Sequence, residues 1–179
     1  MLDSDPNNGY LHHKLYETFS PDGAVQGTGT TIVRITPDAQ TSVFFQGQPG
    51  LGLTTALGIV RRGFVFVGSL PTTDGTCKTI GQTSLLIIDR NGNQVTTLSD
   101  PNLLNGPWDL TVRDQGELAP VFVPNVLSGT VTRINLRIPK NGNPIVEKMT
   151  QIASDSVMIP SHTRLSQEPR EFPRQEASS

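Results

Sequence analysis

The sequence predicts an all-β fold, and three observations lead to that prediction. Of the 179 residues, 45 are threonine, valine or isoleucine, whose β-branched side chains lose rotamers in a helix and fit the pleated surface of a sheet. The chain also contains 17 glycines and 14 prolines, which favour turns. Short apolar segments recur, and a turn signal and a second short segment follow several of them. This pattern is typical of antiparallel hairpins.

Three such hairpins are predicted, at residues 32–45, 85–98 and 131–152. The second and third turn at Asn91-Gly92 and Asn141-Gly142, and Asn-Gly pairs are typical of type I′ turns, in which both central residues have positive φ. The turns, centred on positions 38, 91 and 141, are 53 and 50 residues apart. The hairpin therefore belongs to a unit that repeats about every 50 residues.

The segments between the hairpins repeat as well. Residues 52–56 align with residues 106–110 at a shift of 54, and residues 65–69 align with residues 121–125 at a shift of 56. Each period thus supplies four short strands, as a propeller blade does. A β-sandwich also has short strands, but it does not require one four-strand pattern to recur. We predict a partial β-propeller of about two and a half four-stranded antiparallel blades, at residues 29–46 (a half blade), 52–98 and 106–152.

The chain divides into three regions by composition. Residues 1–25 are polar and are expected to be irregular, residues 26–154 contain the incomplete propeller, and residues 155–179 are expected to be a disordered tail. Since propellers close with 4–8 blades, the chain is expected to be a fragment of a longer protein. Its open blade edges are expected to promote self-association.

One strand pair resembles a known family. Residues 121–134 read VFVPNVLSGTVTRI, and this sequence resembles the repeat of NHL-repeat β-propellers, in which a VFV-x-N strand precedes a G-x-V-x-R-I strand. The resemblance extends over most of residues 27–154 and is to a group of bacterial extracytoplasmic proteins. It implies a location outside the cytoplasm, although no signal peptide is visible at the start of the chain.

Candidate ligand-binding side chains lie where the predicted loops of one propeller face meet. They are an aromatic ring, two carboxylates, an amide and a hydroxyl, namely Trp108, Asp109, Asp74, Asn125 and Thr55. Asp74 belongs to a long loop, residues 71–83, where binding specificity is often built. Such groups can converge on a ligand or cation. The alternative is that the ring fills space between blades, while Asp109 and Asn125 satisfy backbone groups at strand ends.

Other classes of function are disfavoured. A net charge of −2 argues against nucleic-acid binding, which needs a basic surplus. The single cysteine, Cys77, allows no intrachain disulfide and no multi-cysteine metal cage, and no apolar run approaches the ~20 residues of a membrane helix. His12 and His13 are adjacent, so on an extended chain they point to opposite sides and seldom share a metal. No catalytic residue, metal or cofactor is expected.

These observations favour a noncatalytic binding module for a protein, glycan or small molecule. The alternative is a propeller hydrolase or lyase, similar to lactonases or streptogramin lyases, whose remaining site residues would lie in further blades. A third possibility is a truncated product with no independent activity. Whether further blades place acidic or histidine side chains in the channel would separate the first two hypotheses.

Overall fold

The computed structural model describes residues 2–5, 9–13 and 28–154, and in them twelve strands form three four-stranded antiparallel sheets. Sheet I consists of β1 (Leu2–Asp5), β2 (Gly9–His13), β3 (Thr31–Ile35) and β4 (Thr41–Gln46). Sheet II consists of β5 (Leu53–Ile59), β6 (Val65–Leu70), β7 (Ser84–Ile88) and β8 (Gln94–Leu98). Sheet III consists of β9 (Thr111–Val112), β10 (Leu118–Asn125), β11 (Thr130–Arg137) and β12 (Ile145–Ser154). In each sheet the strands pair in chain order, and the all-β prediction is confirmed.

Sheet II is the middle layer, and its two central strands, β6 and β7, are buried along their whole length. Leu85 and Ile87 pack with the buried residues of sheet III, whereas Leu86 and Ile88 pack with Ile32 and other residues of sheet I. Successive residues of a strand point to opposite faces. A strand covered on both faces is therefore a continuous apolar run, and Leu85-Leu86-Ile87-Ile88 is such a run.

Sheet III is buried on one face. Along β11 the buried residues, such as Ile134 and Leu136, alternate with Arg133 and Arg137, which are exposed. On that exposed face the guanidinium of Arg133 lies 5.9 Å from the centre of the Phe122 ring. On the other face Ile134 is fully buried against sheet II. The outer face of sheet III is thus rich in charge rather than uniformly apolar.

Sheet I differs from the predicted half blade, because two further strands complete it. β2 pairs with β3 through Tyr10 and Ile35, and β1 pairs with β2 through Leu2 and His12. Residues 1–25 therefore contain strands where the sequence suggested irregular structure. The physical reason is that the second edge of β3 carries backbone N–H and C=O groups that need partners. The tail expected at residues 155–179 lies outside the described residues.

The hairpin turns also differ from the prediction. Gly92 and Gly142 have φ values of 85° and 104°, but Ala39 is the one non-glycine residue in the described chain with positive φ. Asn91 and Asn141 therefore do not adopt the conformation that a type I′ turn requires, and that prediction is wrong. The longer loop at residues 89–93 explains the difference, since a left-handed glycine closes it after a tight turn. Ala39 occupies the matching position of the first hairpin with a φ of 63°.

The connections lie at two ends of the sheets. The turn side comprises residues 60–64, 89–93, 113–117 and 138–144, and the loop side comprises residues 71–83, 99–110 and 126–129. Hydrogen bonds join neighbouring connections on both sides. On the turn side the N–H of Arg61 donates to the carboxylate of Asp114 at 2.7 Å. On the loop side the hydroxyl of Thr83 donates to the carbonyl oxygen of Leu104 at 2.5 Å.

Candidate functional site

The loop side carries the five side chains selected from the sequence, and buried hydrogen bonds hold its connections together. Thr83 is buried at the end of the long loop, where its hydroxyl also accepts the N–H of Gly106 at 3.0 Å. The hydroxyl of Ser99 donates to the carbonyl oxygen of Thr83 at 3.3 Å. These bonds fix residues 99–110, which contain Trp108 and Asp109, against the end of residues 71–83.

Asn125 is buried at the end of β10, where its side chain binds the protein itself. Its Nδ2 donates to the carbonyl oxygen of Leu103 at 3.1 Å and lies 3.2 and 3.1 Å from the hydroxyl oxygens of Thr130 and Thr132. Its Oδ1 is buried and has no hydrogen-bond partner among the described residues. The contacts agree with the alternative interpretation of Asn125 as a residue that satisfies backbone groups.

The inner strand expected at residues 106–110 does not form. Pro107 makes an isolated bridge with Asn125, and the strand β9 begins at Thr111. Proline has no N–H for a strand ladder. The N–H of Leu110 donates to the carboxylate of Asp109 at 2.8 Å instead of to a neighbouring strand. Asp109 is half-buried, and it therefore lies in an irregular segment rather than at the start of a strand.

Three of the five candidates lie around Pro107. The hydroxyl of Thr55 donates to the carbonyl oxygen of Pro107 at 2.5 Å, and Asn125 is its bridge partner. The next residue, Trp108, is 43% exposed, so it does not fill the space between sheets. Its backbone N–H donates to the carbonyl oxygen of Pro124 at 3.1 Å. The backbone of Trp108 is thus held in place, and its indole is partly open to solvent.

Asp74 organises the long loop. Its Oδ1 accepts the hydroxyl of Thr79 at 2.5 Å, and both the N–H and the hydroxyl of Thr76 at 2.9 and 2.8 Å. The bond from Thr79, followed by those from Thr76, lowers the pKa of the Asp74 carboxyl to about 2. The described hydrogen bonds do not join Asp74 to the other four candidates. The cavity beside this loop, between Leu53 and Ile80, has about 10 Å³, which is room for a single water.

The structure also forms a cleft on the turn side, which no sequence pattern predicted. It has a volume of about 640 Å³ and lies where the turns of sheets II and III meet. Its walls are formed by Arg62, Phe64, Asp89, Arg90, Asn91, Pro139, Lys140, Asn141, Gly142 and Asn143. A repeated sequence signal accompanies two of its walls: Arg90 and Asn91 begin the motif Arg-Asn-Gly-Asn, which matches Lys-Asn-Gly-Asn at residues 140–143.

Arg62 is half-buried in this cleft. Its guanidinium donates to the carbonyl oxygen of Ile138 and lies 3.5 Å from the carboxylate of Glu117. Arg90 in turn donates to the carbonyl oxygen of Arg62 at 2.8 Å. Arg62 therefore links sheets II and III below the cleft.

Two further kinds of feature are absent from the part of the chain that the structure describes. It contains no group of three or more histidine, cysteine, aspartate or glutamate side chains that could hold a metal ion. Within the same residues no helix is both long and apolar enough to cross a membrane. Comparisons of the chain with models of protein families, with curated proteins and with solved structures found no significant match.

Proposed function

We propose that sheets I, II and III are consecutive blades of an NHL-like β-propeller and that the chain is a noncatalytic binding module. One observation carries the proposal: a four-stranded antiparallel meander occurs three times in succession, and the middle one is covered on both faces by its neighbours. Face-to-face stacking of four-stranded meanders is the architecture of propellers. The resemblance of residues 121–134 to NHL repeats supports the family assignment, and an extracytoplasmic location belongs to the same proposal.

Matching backbone details support the repeat. Gly52 and Gly106, which lie 54 residues apart, both have positive φ, at 78° and 82°. Ser69 and Asn125 lie 56 residues apart, and each donates a side-chain hydrogen bond to a carbonyl of the connection that precedes its sheet: Ser69 to Leu51 at 2.6 Å, Asn125 to Leu103 at 3.1 Å. The side chain at this position therefore makes an equivalent hydrogen bond in sheets II and III.

The proposed ligand surface is the loop side around Trp108. An exposed indole on a hydrogen-bonded loop offers a large apolar contact at little cost in conformational entropy. Thr55 lies beside it, and the half-buried Asp109 adds a carboxylate. A protein, a glycan or a small molecule can use such a surface. Asp74 stabilises the neighbouring loop in this proposal rather than binding the ligand directly.

The alternative function is that of a propeller hydrolase or lyase. Such an enzyme needs ionisable side chains that converge on one substrate. Among the five candidates, Asp74 and Asp109 are ionisable, and the described hydrogen bonds of Asp74 are made within its own loop. The engagement of the Asp74 carboxylate within its own loop favours binding over catalysis.

The experiment uses Trp108, the single tryptophan of the chain, as a fluorescent reporter. We expect its emission to change saturably with at least one member of a panel of soluble oligosaccharides and peptides. Asp109→Ala should weaken that binding more than Arg61→Ala, which changes an exposed residue on the turn side. Equal effects of the two substitutions, or saturation with no panel member, would reject the proposed surface. Hydrolysis of a simple lactone that is lost in Asp109→Ala would instead establish the enzyme alternative.

A further inference from the structure

The turn-side cleft is an open depression between the turns of sheets II and III, and it is large enough for a small molecule. Its volume of about 640 Å³ lies within the ~300–1,000 Å³ of small-molecule pockets. Its lining includes Arg90 and Asn91 of sheet II and residues 140–143 of sheet III, and in both sheets the lining residues belong to a motif of a cationic residue followed by Asn-Gly-Asn. Face-to-face packing of the two sheets brings motifs that are 50 residues apart in sequence to the two sides of one opening.

The charge of the lining points to an anionic ligand. The whole chain has a net charge of −2, yet the lining contains three cations, Arg62, Arg90 and Lys140, against one carboxylate, Asp89. Arg62 is paired with Glu117. Arg90 and Lys140 are exposed, and neither forms an ion pair with a carboxylate in the described part of the chain.

The carboxylate of Asp89 accepts hydrogen bonds from donors within its own loop. Its Oδ1 accepts the N–H groups of Asn91 and Asn93 at 2.8 and 2.9 Å, and its Oδ2 accepts Nδ2 of Asn93 at 3.0 Å. Partial burial tends to raise the pKa of the Asp89 carboxyl, but hydrogen bonds from Asn93, Asn91 and Gly92 outweigh it, and the pKa lies below its ordinary value. Asp89 thus shapes one wall, and its charge is directed to the loop's own donors.

The cleft also offers neutral donors and an apolar wall. The side-chain amides of Asn91, Asn141 and Asn143 line it, and each can donate to an anionic oxygen. Among the described residues, no backbone hydrogen bond closes the loop at 139–144, so the N–H groups of residues 140–143 have no backbone partner there. Phe64, half-buried in the core between sheets II and III, supplies the apolar surface.

We propose that this cleft binds a small organic molecule that carries two anionic groups, phosphate or carboxylate. One group lies beside Arg90 and the other beside Lys140, because the two cations extend from different sheets across one opening. The asparagine amides hydrogen-bond the anionic oxygens, and the organic body packs on Phe64. A ligand with a single charge would pair with the cation of one wall and leave the cation of the other wall unpaired. The site is on the turn side, so it does not depend on the proposed ligand surface around Trp108.

The test is a titration of the isotope-labelled full chain with inorganic pyrophosphate and, separately, with citrate, followed by NMR. We expect saturable shifts of the backbone amides of Asn91, Asn141 and Gly142, and an affinity that falls as NaCl is added. The anion that binds more tightly identifies phosphate or carboxylate as the preferred group. Acetate, with one charge, should bind more weakly than either. Absence of saturation with both polyanionic probes, or shifts spread evenly over the surface, would overturn the proposal.

Substitutions make the test specific. The double variant Arg90→Gln/Lys140→Gln should weaken binding about tenfold, since each cation contributes a charge-assisted contact. Lys148→Gln is the matched control, because Lys148 is exposed on β12 outside the cleft, and it should change the affinity less than about twofold. Because Arg90 also bonds the Arg62 carbonyl, Lys140→Gln alone is measured as well. An unchanged affinity in Lys140→Gln, or an equal loss in Lys148→Gln, would reject the site.

Discussion

The hydroxyl of Thr83 donates a 2.5 Å hydrogen bond to the carbonyl oxygen of Leu104 and accepts the N–H of Gly106 at 3.0 Å. One buried side chain thus satisfies two backbone groups of the connection between sheets II and III. That connection continues directly into Trp108, so the position of the proposed ligand surface depends on Thr83.

Thr83→Val removes both hydrogen bonds and keeps the shape of the side chain. We expect it to lower the free energy of unfolding by about 1–3 kcal/mol, because two buried backbone groups lose their partner. Chemical denaturation followed by circular dichroism measures the change. Thr150→Val, on the exposed part of β12, is the control and should stay within about 0.5 kcal/mol of the wild type. Equal losses in the two variants would contradict this role of Thr83.

Leu85 and Leu86 are both fully buried but face different sheets. If sheet II is covered on both sides, Leu85→Ala and Leu86→Ala should each cost about 2–5 kcal/mol of stability. Ile152→Ala, at a half-exposed position of β12, should cost much less. Denaturant midpoints of the three variants provide the measurement. A mild effect at Leu86 alone would show that sheet I does not cover sheet II in solution.

Ala39 adopts a φ of 63°, in the left-handed region where a Cβ is unfavourable. Gly92 and Gly142 occupy the matching positions of the other two hairpins. We therefore expect Ala39→Gly to raise the melting temperature, by a stabilisation of up to about 1 kcal/mol. Ala153→Gly in strand β12 should have the opposite sign, since glycine weakens a strand. Destabilisation by Ala39→Gly would show that Ala39 is not left-handed in solution.

The hydrogen bonds of the Asp74 carboxylate should make loop stability depend on pH. Because its pKa is lowered from the ordinary 3.8 to about 2, the folded state binds the proton less readily than the unfolded state. The stabilisation is therefore complete above about pH 4 and is lost as the pH falls towards 2. Asp74→Ala should melt below the wild type at pH 6, and the difference should shrink by pH 2. A difference that is independent of pH would contradict the assignment.

Self-association is expected to involve sheet I. Val43 is 63% exposed on β4 and pairs with Val33 of β3, whereas the outer face of sheet III carries Arg133 and Arg137. We expect light scattering to report assemblies larger than one chain, and Val43→Lys to reduce their mass. Thr150→Lys on sheet III is the control and should leave the mass unchanged. A monomeric wild type with a sharp thermal transition would refute this prediction.

The sequence by itself determined most of the strands from β3 onward, the hairpins and the period of about 50 residues. These features depend on local patterns: a doubly buried strand such as residues 85–88 is recognisable as a continuous apolar run, and a left-handed glycine such as Gly52 recurs 54 residues later as Gly106. The five candidate side chains were also assigned to one end of the sheets, because alternate connections of a meander share an end.

The tertiary structure decided what those side chains contact. The side-chain amide of Asn125 donates a hydrogen bond to the carbonyl of Leu103. The segment that contains Pro107 and Asp109 is irregular where a strand was expected. It also decided that β1 and β2 complete sheet I, because strand pairing satisfies backbone groups that no local pattern reveals. The cleft between Arg90 and Lys140 arises when two sheets pack face to face. Its walls are distant in sequence, so packing between sheets, and not the pattern within a strand, created it.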